Sequence, residues 1–140
     1  MGLIEELPPE EDASNLAFPK EFLAPNCDAL MISEVFILLK DRQEENELRD
    51  EIDEMSENFI LTLNYTQRFS KFKKRELVRN VRGLFAGRPN LHKYEVAQLT
   101  NLVPKTAEEA KSLIPSLESK IDDSELDDIL KDLSAKETLQ

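Results

Sequence analysis

The stretch LHKYEVAQLTNLVPKTAEEAKSLIP, residues 91–115, decides the fold. Val96, Leu99 and Val103 recur at i, i+3, i+7, which places them on one side of a 3.6-residue helix. Pro104 ends that helix, because proline has no N–H to donate and clashes with the carbonyl four residues back. Thr106-Ala-Glu-Glu109 fits a capping box, with a hydroxyl at the N-cap and a carboxylate three residues on. It opens a short helix carrying Ala110, Leu113 and Ile114, which Pro115 stops. Helical spacing punctuated by prolines, with no alternating run, is the pattern of an all-α domain.

The same period extends on both sides. Leu126, Ile129, Leu130 and Leu133 follow i, i+3, i+4, i+7 in a last helix that starts near Asp122 or Asp123 and is expected to fray after Ala135. Upstream, Leu77, Val78, Val81, Leu84 and Phe85 make the core face of a helix over residues 75–85, with Gly83 inside it at a cost of about 1 kcal/mol against alanine. Ile52, Met55, Phe59 and Leu63 share a face of a helix expected from Asp50 to Tyr65, and Ile60 and Leu61 make it apolar behind that face. Ser33 is a suitable N-cap for a first helix of about 12 residues bearing Val35, Phe36, Ile37, Leu38 and Leu39. About six helices result, most of them short.

The N-terminal quarter is different in kind. Residues 1–13 carry two prolines and five acids and are expected to be a flexible acidic tail. Pro19 and Pro25 bar a long helix from the segment holding Leu16, Phe18 and Phe22. Those large apolar groups have no local element to bury them. Either they pack on the chain's own core or they dock on a partner. Asp28-Ala-Leu-Met-Ile32 reads either as a short strand, which needs a partner's sheet to satisfy its ladder, or as the first turn or two of the next helix.

The 140 residues suit one domain and carry a net charge of −11. That charge is partitioned. Residues 1–64 hold 4 basic and 17 acidic groups, residues 65–93 hold 9 and 1, and residues 94–140 hold 5 and 11. A basic segment between acidic ones can serve a polyanion or the acidic flanks. No apolar run approaches the ~20 residues of a membrane span. The single cysteine, Cys27, leads to the expectation of a reducing compartment.

No residue pattern supports catalysis, a metal or a cofactor. His92 stands at an expected helix start, where a capping role is the ordinary one. Asp122, Asp123, Asp127 and Asp128 lack the glycine and ligand spacing of a calcium loop and suit a helix start, where acids favour the dipole. Arg75, Arg79 and Arg82 at i, i+4, i+7 share a helical face and are candidate nucleic-acid contacts. Phe69 and Phe72 are read as core at i, i+3, with stacking on bases as the alternative.

Three stretches carry a resemblance: EEDASNLAFPKEF (10–22), LNYTQRFSKFK (63–73) and LHKYEVAQLTNLVPKTAEEAKSLIPSLE (91–118). In this order and spacing they resemble the fourth subunit of eukaryotic RNA polymerase II, and the likeness runs from about Glu10 to Leu133. It implies a non-catalytic nuclear subunit that pairs with the seventh polymerase subunit in a stalk beside the RNA exit path. It also implies an HRDC-like helical bundle with an extended N-terminal arm. The expected organisation is a tail over 1–13, a partner-binding arm and first helix over 14–48, the bundle over 49–135 and a short tail over 136–140. Carried over by position, Leu16, Phe18, Pro19 and Phe22 of the arm, and Leu30, Ile32, Val35 and Leu38 after it, are the partner-binding residues. The sequence departs from the family at Val103, where cysteine is frequent, at Gly83 and the Gly87-Arg-Pro turn, and in its short connection between the first two helices. The alternatives are a free-standing HRDC-like nucleic-acid module and the paralogous stalk subunit of RNA polymerase III.

Overall fold

A computed structural model describes residues 10–49 and 55–139. Most of the expected tail and Ile52 lie outside these residues. Seven α-helices follow in order: α1 (Lys20–Leu23), α2 (Ile32–Glu47), α3 (Glu57–Phe69), α4 (Arg75–Phe85), α5 (Lys93–Leu102), α6 (Ala107–Leu113) and α7 (Asp123–Thr138). Two 3-10 turns, Ala13–Asn15 and Pro115–Leu117, complete the set, and the described residues contain no strand. The all-α expectation holds.

The core lies where α4, α5, α6 and α7 converge, and Phe72, Val81, Leu99, Ile114, Leu126 and Leu133 fill it. The apolar period of α7 is buried at all four expected positions. Several helix ends are fixed by identifiable capping groups. Ser56 Oγ accepts from Phe59 N at 3.1 Å and starts α3, and the expected start at Asp50 lies outside the described residues. Thr106 Oγ1 accepts from Glu109 N at 3.1 Å, while the Glu109 carboxylate reaches back to Lys105 N at 2.8 Å, one residue beyond the box expected from sequence. Asp127 adds a second acceptor to this end, taking Ala107 N at 2.7 Å. Val103 closes α5 in the left-handed region, φ 44°. A β-branched residue is strained there, but its side chain is buried and Pro104 forbids a further helical turn.

Several expectations are corrected. Ser33 does not cap α2: Met31 holds that position, with its N–H donating to Glu34 at 2.8 Å. Ser33 turns inward instead and its hydroxyl accepts from Phe72 N at 3.1 Å. The helix then runs 16 residues rather than about 12, and takes in Glu44-Glu-Asn-Glu47. Residues 28–31 form no strand, and Ile32 is already helical. Phe72 is core, but Phe69 is 45% exposed, because buried Thr66 and Ser70 take the inward positions of α3. Thr66 satisfies its hydroxyl on the carbonyls of Thr62 and Leu63. Leu113 faces out, since the short α6 buries only Ala107 and Ala110. α7 stays helical to Thr138 rather than fraying after Ala135.

Candidate partner and nucleic-acid surfaces

The arm is folded onto its own bundle. Asp12 and Ala17 exchange backbone hydrogen bonds at 2.9 and 2.8 Å around the first 3-10 turn, with Leu16 left-handed at φ 55° and the Asp12 carboxylate taking Ser14 N and Asn15 Nδ2. Phe18 then meets Phe22 edge-on at 5.0 Å, stacks on His92 at 5.5 Å and touches Tyr94 at 5.0 Å. Lys93 places its ammonium 4.6 Å from the Phe22 ring centroid and donates to the carbonyls of Ala24 and Cys27. Arg82 reaches the Ala29 carbonyl at 3.2 Å, and Asn101 accepts from Ile32 N at 2.9 Å. Side chains of α4 and α5 thereby satisfy the backbone of an irregular segment that cannot do so itself. Leu16, Phe18, Pro19 and Phe22 are half-buried.

The other four residues expected to bind a partner are less covered. Leu30 is 47% and Leu38 55% exposed. Ile32 and Val35 are half-buried. Of the 16 residues of α2 only Ser33 is fully buried, although Val35-Phe-Ile-Leu-Leu39 is a continuous apolar run.

The N-terminus of α5 gathers several multiply bonded polar groups. His92 is its N-cap, with Nδ1 accepting from Tyr94 N at 3.1 Å. Glu95 is wholly buried and accepts from His92 N (2.7 Å), Ser116 Oγ (2.6 Å) and Lys120 Nζ (2.6 Å). Burial holds the His92 imidazole below its ordinary value of 6.5; Glu95 works against this, and Lys120 and Lys93 add to it. These groups are used in capping and packing.

The basic face is partly neutralised. Arg75 Nη2 contacts both oxygens of Asp41, at 2.6 and 2.8 Å, and that hydrogen bond raises its pKa. Arg82 is paired with Glu34 through two nitrogens. Arg79 is exposed and makes no ion pair with a described residue. Lys73 seals the end of α3, donating to the Gln67 carbonyl and to Ser70 Oγ. α4 thus brings the three arginines close together as expected, but α2 takes two of them as structural ion pairs. At the other acidic end, Asp123 pairs with Lys111 at 2.6 Å and raises its pKa. No group of three or more His, Cys, Asp or Glu among the described residues could hold a metal.

A family model described as RNA polymerase Rpb4 matches residues 29–137. The chain belongs to the RNA polymerase Rpb4 family. Full-length relatives agree: a Schizosaccharomyces pombe protein named DNA-directed RNA polymerase II subunit rpb4 is 39% identical, covering 94% of this chain and 95% of its own. An Arabidopsis thaliana protein named DNA-directed RNA polymerase II subunit 4 is 37% identical, covering 89% and 92%. A Dictyostelium discoideum rpb4 subunit is 36% identical, covering 89% and 88%. The Rpb4 family is one of RNA polymerase II subunits, which is the kind of protein the three sequence stretches suggest. The Rpb4 model begins at residue 29 and so leaves the arm rings outside its match.

Sequence reasoning missed one surface of this Rpb4 chain. Leu61, Tyr65 and Phe69 lie at i, i+4, i+8 on α3 and are 59%, 56% and 45% exposed. The signal was present in the excess apolar residues of α3, which exceed what one core-facing stripe requires.

Proposed function

We propose that this chain is the non-catalytic fourth subunit of RNA polymerase II and pairs with the seventh subunit to form the stalk. In that role it supports initiation and clamp closure and meets factors and nascent RNA near the exit path, within the nucleus. The observation that carries the reading is α2, a long helix of a family member whose apolar run the chain itself leaves short of full burial. Each Leu30- or Leu38-like side chain covered by a second protein would contribute about 1.5–3 kcal/mol. The arm residues Leu16, Phe18, Pro19 and Phe22 would extend that contact with the faces their own bundle leaves open. Affinity purification of the tagged chain from its own cells is the test. Recovery of the seventh subunit in equal amount, with the polymerase core, is expected. Recovery of the chain free of polymerase subunits would end the proposal.

The free-standing nucleic-acid module is the weaker reading. Pairing of Arg75 with Asp41 and of Arg82 with Glu34 leaves less open positive charge on α4 than the sequence promised.

A further inference from the structure

We infer that Ser119 is a phosphoacceptor site for a protein kinase that reads acids on the C-terminal side of its serine, and that the phosphate it receives competes with buried Glu95 for Lys120. The site goes beyond the stalk reading and does not rest on it. Four hydroxyls of the chain have a carboxylate three residues on: Thr106 before Glu109, Ser119 before Asp122, Ser124 before Asp127 and Ser134 before Glu137. The fold separates them. Thr106 serves as the N-cap of α6. Ser124 and Ser134 lie within α7, where helical hydrogen bonds would have to break before either entered a kinase cleft in extended form. Ser119 is exposed in the turn between the second 3-10 turn and α7, and its hydroxyl makes no hydrogen bond with a described residue.

The acids that would be read are open as well. Asp122 stands at the N-cap of α7 yet makes no capping hydrogen bond there. It is exposed, so its carboxylate can meet an arginine or lysine of a kinase cleft. From residue 118 to 125 one base, Lys120, stands among four acids. Lys120 ties the turn down, its N–H donating to the Leu117 carbonyl at 3.0 Å and its carbonyl accepting from Asn90 Nδ2 at 2.9 Å. Drawing the segment into a cleft opens this turn and unseats buried Ile121, but breaks no α-helix. In the transfer, Ser119 Oγ bonds the γ-phosphorus of ATP as the bond from that phosphorus to the bridging oxygen breaks. ADP leaves with that oxygen, and the hydroxyl proton passes to a base of the kinase.

The product brings about −1.5 to −2 charges to an open cavity of about 600 Å³ whose walls include Lys111 and Lys120. Both ammonium groups are engaged, Lys111 by Asp123 and Lys120 by Glu95, each at 2.6 Å. Lys120 is the phosphate's neighbour in sequence. Its turning away strips one of three donors from a wholly buried carboxylate. Glu118, Asp122 and Asp123 add repulsion. The modification thereby loosens the N-terminus of α5, where His92 carries the Phe18 ring of the arm.

The test treats the folded full-length chain with ATP, Mg²⁺ and a purified kinase of this acid preference, and maps the phosphate by mass spectrometry. Phosphate on Ser119 is expected, absent in Ser119→Ala and slowed at least about tenfold in Asp122→Asn. Phosphate confined to Thr106, Ser124 or Ser134, no incorporation, or Asp122→Asn labelled as fast as wild type overturns the site. The Ser119 peptide of the chain purified from its own cells should carry phosphate in part, and a peptide wholly unmodified in growing and in stressed cells overturns it too. Phosphorylation should lower the melting temperature by a few degrees, and by less than half as much in Lys120→Gln, where the competition is already lost. An equal fall in both, or no fall in wild type, overturns the competition for Lys120. Should Lys120→Gln fail to fold, hydrogen exchange at the His92 amide, which Glu95 holds, decides on the wild-type chain. Faster exchange after phosphorylation supports the competition, and unchanged exchange overturns it.

Discussion

His92 and Glu95 show how much one helix terminus demands. The first N–H groups of α5 have no intrahelical partner. Glu95 covers the N–H of His92, and the His92 ring covers that of Tyr94. A fully buried carboxylate is tolerable only with donors on its oxygens, and Ser116 and Lys120 supply them from the segment after α6. The His92 ring must be neutral to accept at Nδ1, and its proton affinity is lowered chiefly by burial. The folded state therefore binds fewer protons there than the unfolded chain. Stability contributed by neutral His92 is present above pH 6.5 and is lost as pH falls from that value toward the lowered one. His92→Asn keeps an N-cap acceptor without a titrating ring. Melting temperatures measured between pH 7.5 and 5.5 should fall less steeply for this variant than for wild type, and equal slopes would show that the imidazole does not contribute. The buried Glu95 was invisible to periodicity, which assigns apolar residues to faces and has no means of placing a charge inside.

At the scale of the element, helices with strong periods and proline or hydroxyl punctuation were legible, and those whose limits depend on distant groups were not. α4 and the core side of α7 lie where their apolar spacing puts them. α2 begins one residue before Ser33 because the Glu34 carboxylate takes Met31 N, and because Phe72, 39 residues away, claims the Ser33 hydroxyl. That tertiary claim leaves no trace in the local sequence. The exposure of Phe69 was illegible for a related reason. Buried Thr66 and Ser70 rotate α3 so that Phe69 turns outward. Gly83 supports a prediction within α4. It lies inside the helix on an exposed face, has no φ requiring glycine, and an added Cβ would meet nothing within 4 Å. Gly83→Ala should stabilise the chain by about 0.5–1 kcal/mol, raising the melting temperature by about 3 °C. Calorimetry checks this, and a fall in melting temperature would mean that the glycine has a packing role not visible around its Cα.

Across the whole molecule the charge partition acts partly within the chain. The acidic first half and the basic middle meet where α2 lies against α4: Asp41 takes Arg75 and Glu34 takes Arg82. The sequence revealed the asymmetry but left its use open between a polyanion and the acidic flanks, and the fold gives part of it to the flanks. Arg79, on the same helix, retains its charge for solvent or a ligand. Each phosphate neutralised on a single strand contributes a salt slope of about 0.7, so one open arginine gives weak, salt-sensitive attraction against a net charge of −11. Arg79→Glu alone and Arg75→Glu with Arg79→Glu should therefore each lower RNA crosslinking less than tenfold in the co-expressed heterodimer. The second change removes no open cation, because Arg75 is already engaged by Asp41, and acts only through the repulsion of the freed Asp41 carboxylate and the introduced acid. Crosslinking yields measured at 50 and 200 mM salt check both points. A total loss in the single Arg79 variant would make this helix an RNA-reading surface and move the molecule from a subunit that acts through its partner toward one that holds nucleic acid itself.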